Sequence, residues 1–240
     1  MSGMTQTIDT TERIPENRLL KDSGYADPTA GPNGGPVSVS SDRHFGPETT
    51  LLRQGSRASS VYVIHDGLVK LVRHLPNGRA RIVGLYGPGS VLGMPVMDGN
   101  EAVSPHSAVT LGHVDAQCWP SSHLRRLRDE RPHRYIDLLE SLHGHIRQAD
   151  VWITEFSTGR IRSRVARLIL YLESVEDGLP DGEVELLTCQ DMGEALGVTP
   201  ESVSRVVAEL KRDGVLQPVP SEQGEHLCCD REKLRSLARD

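Results

Sequence analysis

No stretch of this chain approaches the roughly 18 uninterrupted apolar residues that a membrane-crossing helix requires, so no transmembrane segment is expected. The first residues carry Asp9, Glu12 and Glu16 in place of an apolar run, so no secretory signal is expected either. An excess of positive charge is also missing: 27 Lys and Arg stand against 33 Asp and Glu, for a formal charge of -6. That excludes a polypeptide that coats nucleic acid through bulk attraction, but leaves room for a local reading head. Cysteine is scarce and unpatterned. Cys228 and Cys229 are chain neighbours that cannot easily bridge, and Cys118 and Cys189 have no paired spacing, which fits a reducing cytoplasm. Catalytic patterns are lacking too. His65, His74 and His113 do not fall into the His-x-His…His arrangement of a metal-dependent jelly-roll enzyme, and no enzymatic activity is expected.

The most informative stretch present is 188–210, which reads as two short helices around a tight turn. Thr188 followed by Asp191 is a capping-box pattern, and Met192, Ala195 and Leu196 recur at helical spacing. Gly197 supplies the turn. Thr199 can cap a second helix with Pro200 at its first position, where the missing N–H costs nothing. Val203, Val206, Val207 and Leu210 form the buried stripe of that helix, leaving Glu201, Ser204 and Arg205 on the opposite face near its N-terminus. In a helix-turn-helix, that end enters the DNA major groove. The residue types suit base reading. Arg can bond guanine O6 and N7 together, Glu can accept from cytosine N4, and Ser is small enough to sit beside a thymine methyl.

Glu201-Ser-Val-Ser-Arg205 resembles the recognition helix of the CRP/FNR family of bacterial transcription regulators. It is nearer the FNR branch, which reads Glu-x-x-Ser-Arg, than the cyclic-AMP receptor branch, which places Gly before the Arg and Arg before the Glu. Here those two places hold Ser204 and Pro200. Thr158-Gly-Arg-Ile-Arg-Ser-Arg-Val-Ala-Arg-Leu-Ile-Leu-Tyr-Leu172 is similar to the helix that precedes the motif in the family, and the resemblance covers roughly residues 40 to 238. It implies a homodimer on double-stranded DNA, a TTGAT-type inverted repeat read by Glu201, Ser204 and Arg205, and RNA polymerase as a partner. Candidates for backbone contacts are Thr188, Gln190, Thr199, Ser202, Lys211 and Arg212. Cys189 and Ala208 stand where the family often carries basic residues, so fewer phosphates are neutralised and specificity must come from the bases.

The rest of the chain organises around that head as an α+β protein. Residues 1–37 are poor in apolar residues and rich in turn dipeptides, and are expected to be a flexible tail. Residues 38–131 hold short β-type runs at 61–64, 68–72 and 81–86, separated by Asp66-Gly67, Asn77-Gly78 and Gly87-Pro-Gly89, with further runs around 108–110 and 113–118. Such spacing predicts a barrel or jelly roll, and the resemblance makes it a cyclic-nucleotide-binding-type β-roll acting as sensor. Pro132 opens a helix over 132–157. Tyr135, Leu138, Leu142, Ile146, Ala149, Ile153 and Phe156 mark a long apolar seam suited to a two-fold coiled coil. Residues 158–240 read as a winged helix-turn-helix, with a hairpin wing between Asp213 and Asp230 and a last helix capped by Asp230.

The effector is open. Cyclic-AMP-binding relatives place a Glu on the ribose and an Arg-Ser pair on the cyclic phosphate. The matching positions of the candidate pocket read Met94 and His106-Ser107, which point away from cyclic nucleotide. Residues 1–117 contain no Cys, which speaks against the iron–sulfur cluster of FNR. Haem stays possible, since His65, His74, His106, His113 and Met94 are ligand types, although a single His in a strand is more often a surface residue. Cys228 and Cys229, if in a strand, point to opposite faces, so one of them is buried and inert. The alternative function is a jelly-roll ligand-binding or interaction protein that does not bind DNA.

Overall fold

The computed structural model describes residues 40–93, 96, 102–175, 180, 182–219 and 226–239. The tail at 1–37 and Met94 lie outside the described residues. The chain begins with β1 (Ser41–Phe45), β2 (Thr50–Leu52), β3 (Arg57–Ala58), β4 (Ser60–Asp66), β5 (Val69–His74), β6 (Ala80–Tyr86), β7 (Val91–Leu92), β8 (Ala102–Val103), β9 (Ser107–Thr110) and β10 (Val114–Pro120). The runs expected at 61–64, 68–72 and 81–86 appear as β4, β5 and β6. Two four-stranded antiparallel sheets result, in the orders β1-β10-β4-β7 and β2-β9-β5-β6, with β3 and β8 paired beside them. Alternation along the strands turns Val61, Ile64, Val69, Leu92, Ala108, Val114 and Ala116 into one shared core. Gly67 ends β4 at φ 82°, and a Cβ there would lie 2.2 Å from the His113 carbonyl oxygen, so only glycine fits this turn.

Helix α1 (Ser121–Glu130) follows, buries Leu124, and was not foreseen from the sequence. Helix α2 (Pro132–Ser157) has Pro132 in its first turn. One of its faces packs inward: the Trp152 ring meets Phe156 at 4.9 Å and Tyr171 at 6.2 Å edge-on, and its indole N–H donates to the Ile82 carbonyl at 2.9 Å. Phe156 is 1% exposed in that cluster. This corrects its assignment to the seam, since a residue buried in its own chain cannot face a partner. Ile146 and Ile153, 60% and 64% exposed, stay on the outer face with exposed Ala149, while Tyr135 is half-buried. The side chains of Leu138 and Leu142 lie outside the described residues.

After Gly159 come α3 (Ile161–Val175), β11 (Glu183–Glu185), α4 (Cys189–Leu196), α5 (Pro200–Arg212), β12 (Leu216–Val219), β13 (His226–Cys229) and α6 (Arg231–Ala238). The wing is three-stranded, β11-β13-β12, one strand more than the expected hairpin. In β13, Cys228 is exposed and Cys229 buried, and burial pushes the Cys229 thiol up to about 11, as an inert core cysteine requires. Asp230 caps α6 by accepting from the Lys233 N–H at 3.0 Å. The core of this C-terminal unit is continuous with the roll: Val72, Ile82 and Leu85 of β5 and β6 share one cluster with Leu168, Leu172, Met192, Leu196 and Val203.

Helix α2 also sets a half-buried His145 against the roll, its ring 4.5 Å from that of Tyr86 and its Nε2 without a hydrogen-bond partner. Burial pushes its imidazole down to about 4, against a hydrogen bond with the Val91 backbone. A depressed folded-state pKa gives stability that is complete above about 6.5 and is lost as pH falls toward 4, because the unfolded chain takes the proton first. The loss expected over that window is on the order of 3 kcal/mol. Thermal unfolding at pH 7 and pH 4 measures it. In His145→Leu the acid-dependent drop should shrink; an unchanged drop would assign it to other groups.

Candidate nucleic-acid interface

Thr188 starts α4 by accepting from the Asp191 N–H at 3.0 Å. The reciprocal arm of a capping box is absent. Asp191 instead uses Oδ2 to accept from the Thr188 hydroxyl at 2.8 Å and Oδ1 to accept from Lys70 Nζ at 2.8 Å. Gly197 ends α4 at φ 67°, the left-handed conformation that glycine takes most readily. Thr199 then caps α5, its hydroxyl accepting from the Ser202 N–H at 3.3 Å, with Pro200 in the first turn. Val203, Val206 and Leu210 are buried under α5, and Glu201, Ser204 and Arg205 are exposed on the other side. Residues at i, i+3 and i+4 share a helical face, so these three point the same way. They line one shallow concavity with Cys189, Pro200 and Ala208. Glu201's own backbone N–H and the Thr199 hydroxyl hold its carboxylate below the usual range, so it stays a hydrogen-bond acceptor at neutral pH.

The backbone candidates are less uniform. Lys211 and Arg212 are exposed and follow Ser204 and Arg205 by seven residues, two turns further along the same face. Gln190 Nε2 donates to Glu194 at 2.7 Å, Thr199 and Ser202 share a hydroxyl pair at 3.1 Å, and the Thr188 hydroxyl is committed to Asp191. Their side chains must exchange these partners to reach a phosphate. Sequence reasoning missed the ties that fix the head: Arg162 pairs with Asp213 at 2.6 Å and Glu209 at 3.7 Å, and Arg164 donates to the Leu196 and Phe156 carbonyls.

At the candidate effector site, the Ser107 hydroxyl is buried and accepts from the Gln54 N–H at 3.0 Å. Burial, helped by the charge of Arg73, pushes the His106 imidazole down, so at neutral pH it carries no charge to offer a phosphate. The uncharged His106 offers a phosphate no cation, while the Ser107 hydroxyl keeps its own proton to donate. Among the described residues no three His, Cys, Asp or Glu gather as a metal site, and no helix is long and apolar enough to cross a membrane.

Comparison with known proteins agrees with this geometry. The Cyclic nucleotide-binding domain family matches residues 42–131, and the Crp-like helix-turn-helix domain family matches residues 163–237. The chain is 26% identical over 176 residues to the transcriptional regulator LdrP of Thermus thermophilus, covering 72% of this chain and 86% of that one. It is 29% identical over 188 residues to the transcriptional activatory protein AadR of Rhodopseudomonas palustris, covering 73% of each. The structure of FixK2 from Bradyrhizobium japonicum superposes with a TM-score of 0.69 at 21% identity, over 83% of this chain and 97% of that one, and so shares the fold. These relatives are regulators rather than enzymes. The two family matches, a cyclic nucleotide-binding domain followed by a Crp-like helix-turn-helix domain and together spanning most of the chain, make it a DNA-binding transcription regulator of the CRP/FNR type.

Proposed function

We propose that this regulator acts in the cytoplasm as a homodimer on a TTGAT-type inverted repeat. Residues 38–131 serve as sensor, 132–157 as dimerisation helix, and 158–240 as reading domain that presents DNA-bound protein to RNA polymerase. The observation that carries the reading is the exposed Glu201, Ser204 and Arg205 face at the N-terminal end of α5, backed by a buried valine stripe and free of any covering element among the described residues. Arg205 takes the guanine, Glu201 the N4 amino group of the cytosine in a G·C pair, and Ser204 the thymine methyl. The exposed Ile146, Ala149 and Ile153 on α2 supply the contact between copies. The effector is not cyclic AMP on this reading, because His106 is uncharged where the cyclic phosphate needs a cation.

A fluorescence-anisotropy titration with a TTGAT inverted repeat and a scrambled duplex tests the assignment. Specific binding should exceed the scrambled control by about a thousandfold or more at physiological salt. Equal affinity for the two duplexes would favour a roll-and-helix interaction protein. Lys211→Ala should weaken both duplexes alike and reduce the salt slope by about one ion per head, since it neutralises a phosphate without reading a base. A loss confined to the specific duplex would place Lys211 on a base edge instead.

A further inference from the structure

Helix α4 is tied to the roll by a buried ion pair at one end and packs closely against it at the other. At its N-terminal end, Lys70 of β5 reaches across to Asp191 at 2.8 Å and to Glu48 at 3.1 Å. Lys70 is 8% exposed and Asp191 7% exposed, so this pair is sheltered from the solvent screening that makes surface ion pairs weak. Glu48 is presented from a backbone with φ 53°, unusual for a residue with a side chain. Thr110 holds that loop: its carbonyl accepts from the Glu48 N–H at 3.0 Å, and its hydroxyl accepts from the Thr49 N–H at 2.8 Å and donates to the Gly46 carbonyl at 2.7 Å. At the other end of α4, the Arg81 guanidinium of β6 lies so close to Gly197 that a Cβ there would sit 1.5 Å from Nη1. The covalent link between α2 and the head is different in kind. It is the short exposed segment 158–160, with Gly159 at φ 87°. Orientation of the head is therefore set by what it touches on the roll, the shared apolar cluster together with the buried Lys70–Asp191 pair at one end of α4, rather than by the 158–160 segment alone.

We infer that Lys70, through its buried pair with Asp191, is a positioning residue for DNA reading: it sets the angle at which each recognition helix is offered, and so the spacing of half-sites the protein accepts. The inference rests on the homodimeric reading proposed above. The physical argument is geometric. The reading face stays exposed while α4 is clamped, so the clamp does not mask it. Inserting one base pair between half-sites displaces the second by about 3.4 Å and turns it by about 34°. Two heads fixed to their rolls cannot follow that displacement. Heads that have lost this buried ion pair keep only the apolar contact with the roll, which has no fixed polar geometry, and can shift to follow it. Burial would lower the Lys70 pKa, but the hydrogen bonds it donates to Asp191 and Glu48, with their negative charge, outweigh it and the net shift is upward, so the cation persists at neutral pH.

The test compares full-length wild type, Lys70→Met, and the double variant Lys70→Met/Asp191→Asn. The double variant removes both buried charges together, and its asparagine can still accept from the Thr188 hydroxyl. It keeps the question answerable if the single variant, left with an unpaired buried carboxylate, does not fold. Each protein is titrated against a single half-site and against inverted repeats with the optimal spacer and spacers one base pair longer and shorter. Wild type should lose about tenfold or more in affinity per base pair of misfit. The double variant should lose less than about threefold, while its single half-site affinity stays within about twofold of wild type. Simple damage to the head would lower half-site affinity and leave the spacing preference intact. A wild type with no spacing preference overturns the homodimeric reading itself. A folded, dimeric double variant with the wild-type spacing preference overturns the role of Lys70 alone.

Discussion

Arg205→Ala is expected to cost about 1–3 kcal/mol per half-site on a guanine-bearing repeat, hence about 2–6 kcal/mol for both heads, and to relax the choice of base at the guanine position. The magnitude follows from the contact proposed: a guanidinium fork donating two charge-assisted hydrogen bonds to O6 and N7 of one guanine. Alanine leaves both acceptors without a matched donor. Arg205 is exposed and packs into no core, and Val203, Val206 and Leu210 below it are untouched, so the variant should unfold at the wild-type temperature. Affinities of wild type and variant on the matched repeat, and on one with each guanine replaced, close a thermodynamic cycle. The substituted repeat should bind both proteins almost equally. If Arg205→Ala instead loses the same factor on both duplexes, the side chain lies on a phosphate, and the readout assigned to this face is wrong.

How far the sequence was legible depended on the range of the interaction. The helix-turn-helix is written locally: Thr188, Gly197, Thr199 and Pro200 each act on backbone within four residues, and each does so in the structure. Exposure of Glu201, Ser204 and Arg205 followed from the valine stripe on the same helix. Helix α1 was missed because it is only ten residues long, Ser121–Glu130, and just two leucines, Leu124 and Leu127, mark its apolar side. Strand β11 is three residues long and exists by pairing with β13, some 40 residues later. Lys70 sits between apolar neighbours in a strand and has the composition of an ordinary surface lysine. Its partner lies 121 residues away, and no local pattern announces it.

The seam on α2 was misread at one end for a geometric reason. A heptad repeat drifts by about 20° per heptad around a straight helix. Tyr135 and Phe156 are three heptads apart, so residues that look aligned in sequence diverge by about 60°, and Phe156 turns in to join Trp152 and Tyr171. The same drift leaves Ile146 and Ile153, one heptad apart, nearly in line. Four large apolar residues are strongly exposed among those described: Val103, Ile136, Ile146 and Ile153, and three of them lie on α2. Clustering of that kind marks an interaction surface, whereas isolated exposed apolar residues are common.

Ile153→Asp should therefore abolish dimerisation, and Ile146→Asp should do the same. At a two-fold seam each substitution places two carboxylates opposite one another in a surface otherwise emptied of water. An unpaired charge buried in this way costs several kcal/mol, enough to raise the dimer dissociation constant by about a thousandfold or more. The fold of the single chain should survive, because both isoleucines are more than half exposed within it. Val103→Asp is the matched control, since Val103 is 58% exposed on the roll and outside α2; it should remain dimeric. Sedimentation equilibrium at micromolar concentration separates these outcomes. DNA binding should fall with the dimer, because a single head retains only its own half-site contacts and loses the effective concentration supplied by its twin. If Ile153→Asp and Ile146→Asp both sediment as dimers, the copies meet through another surface, and the outer face of α2 must be covered by something else.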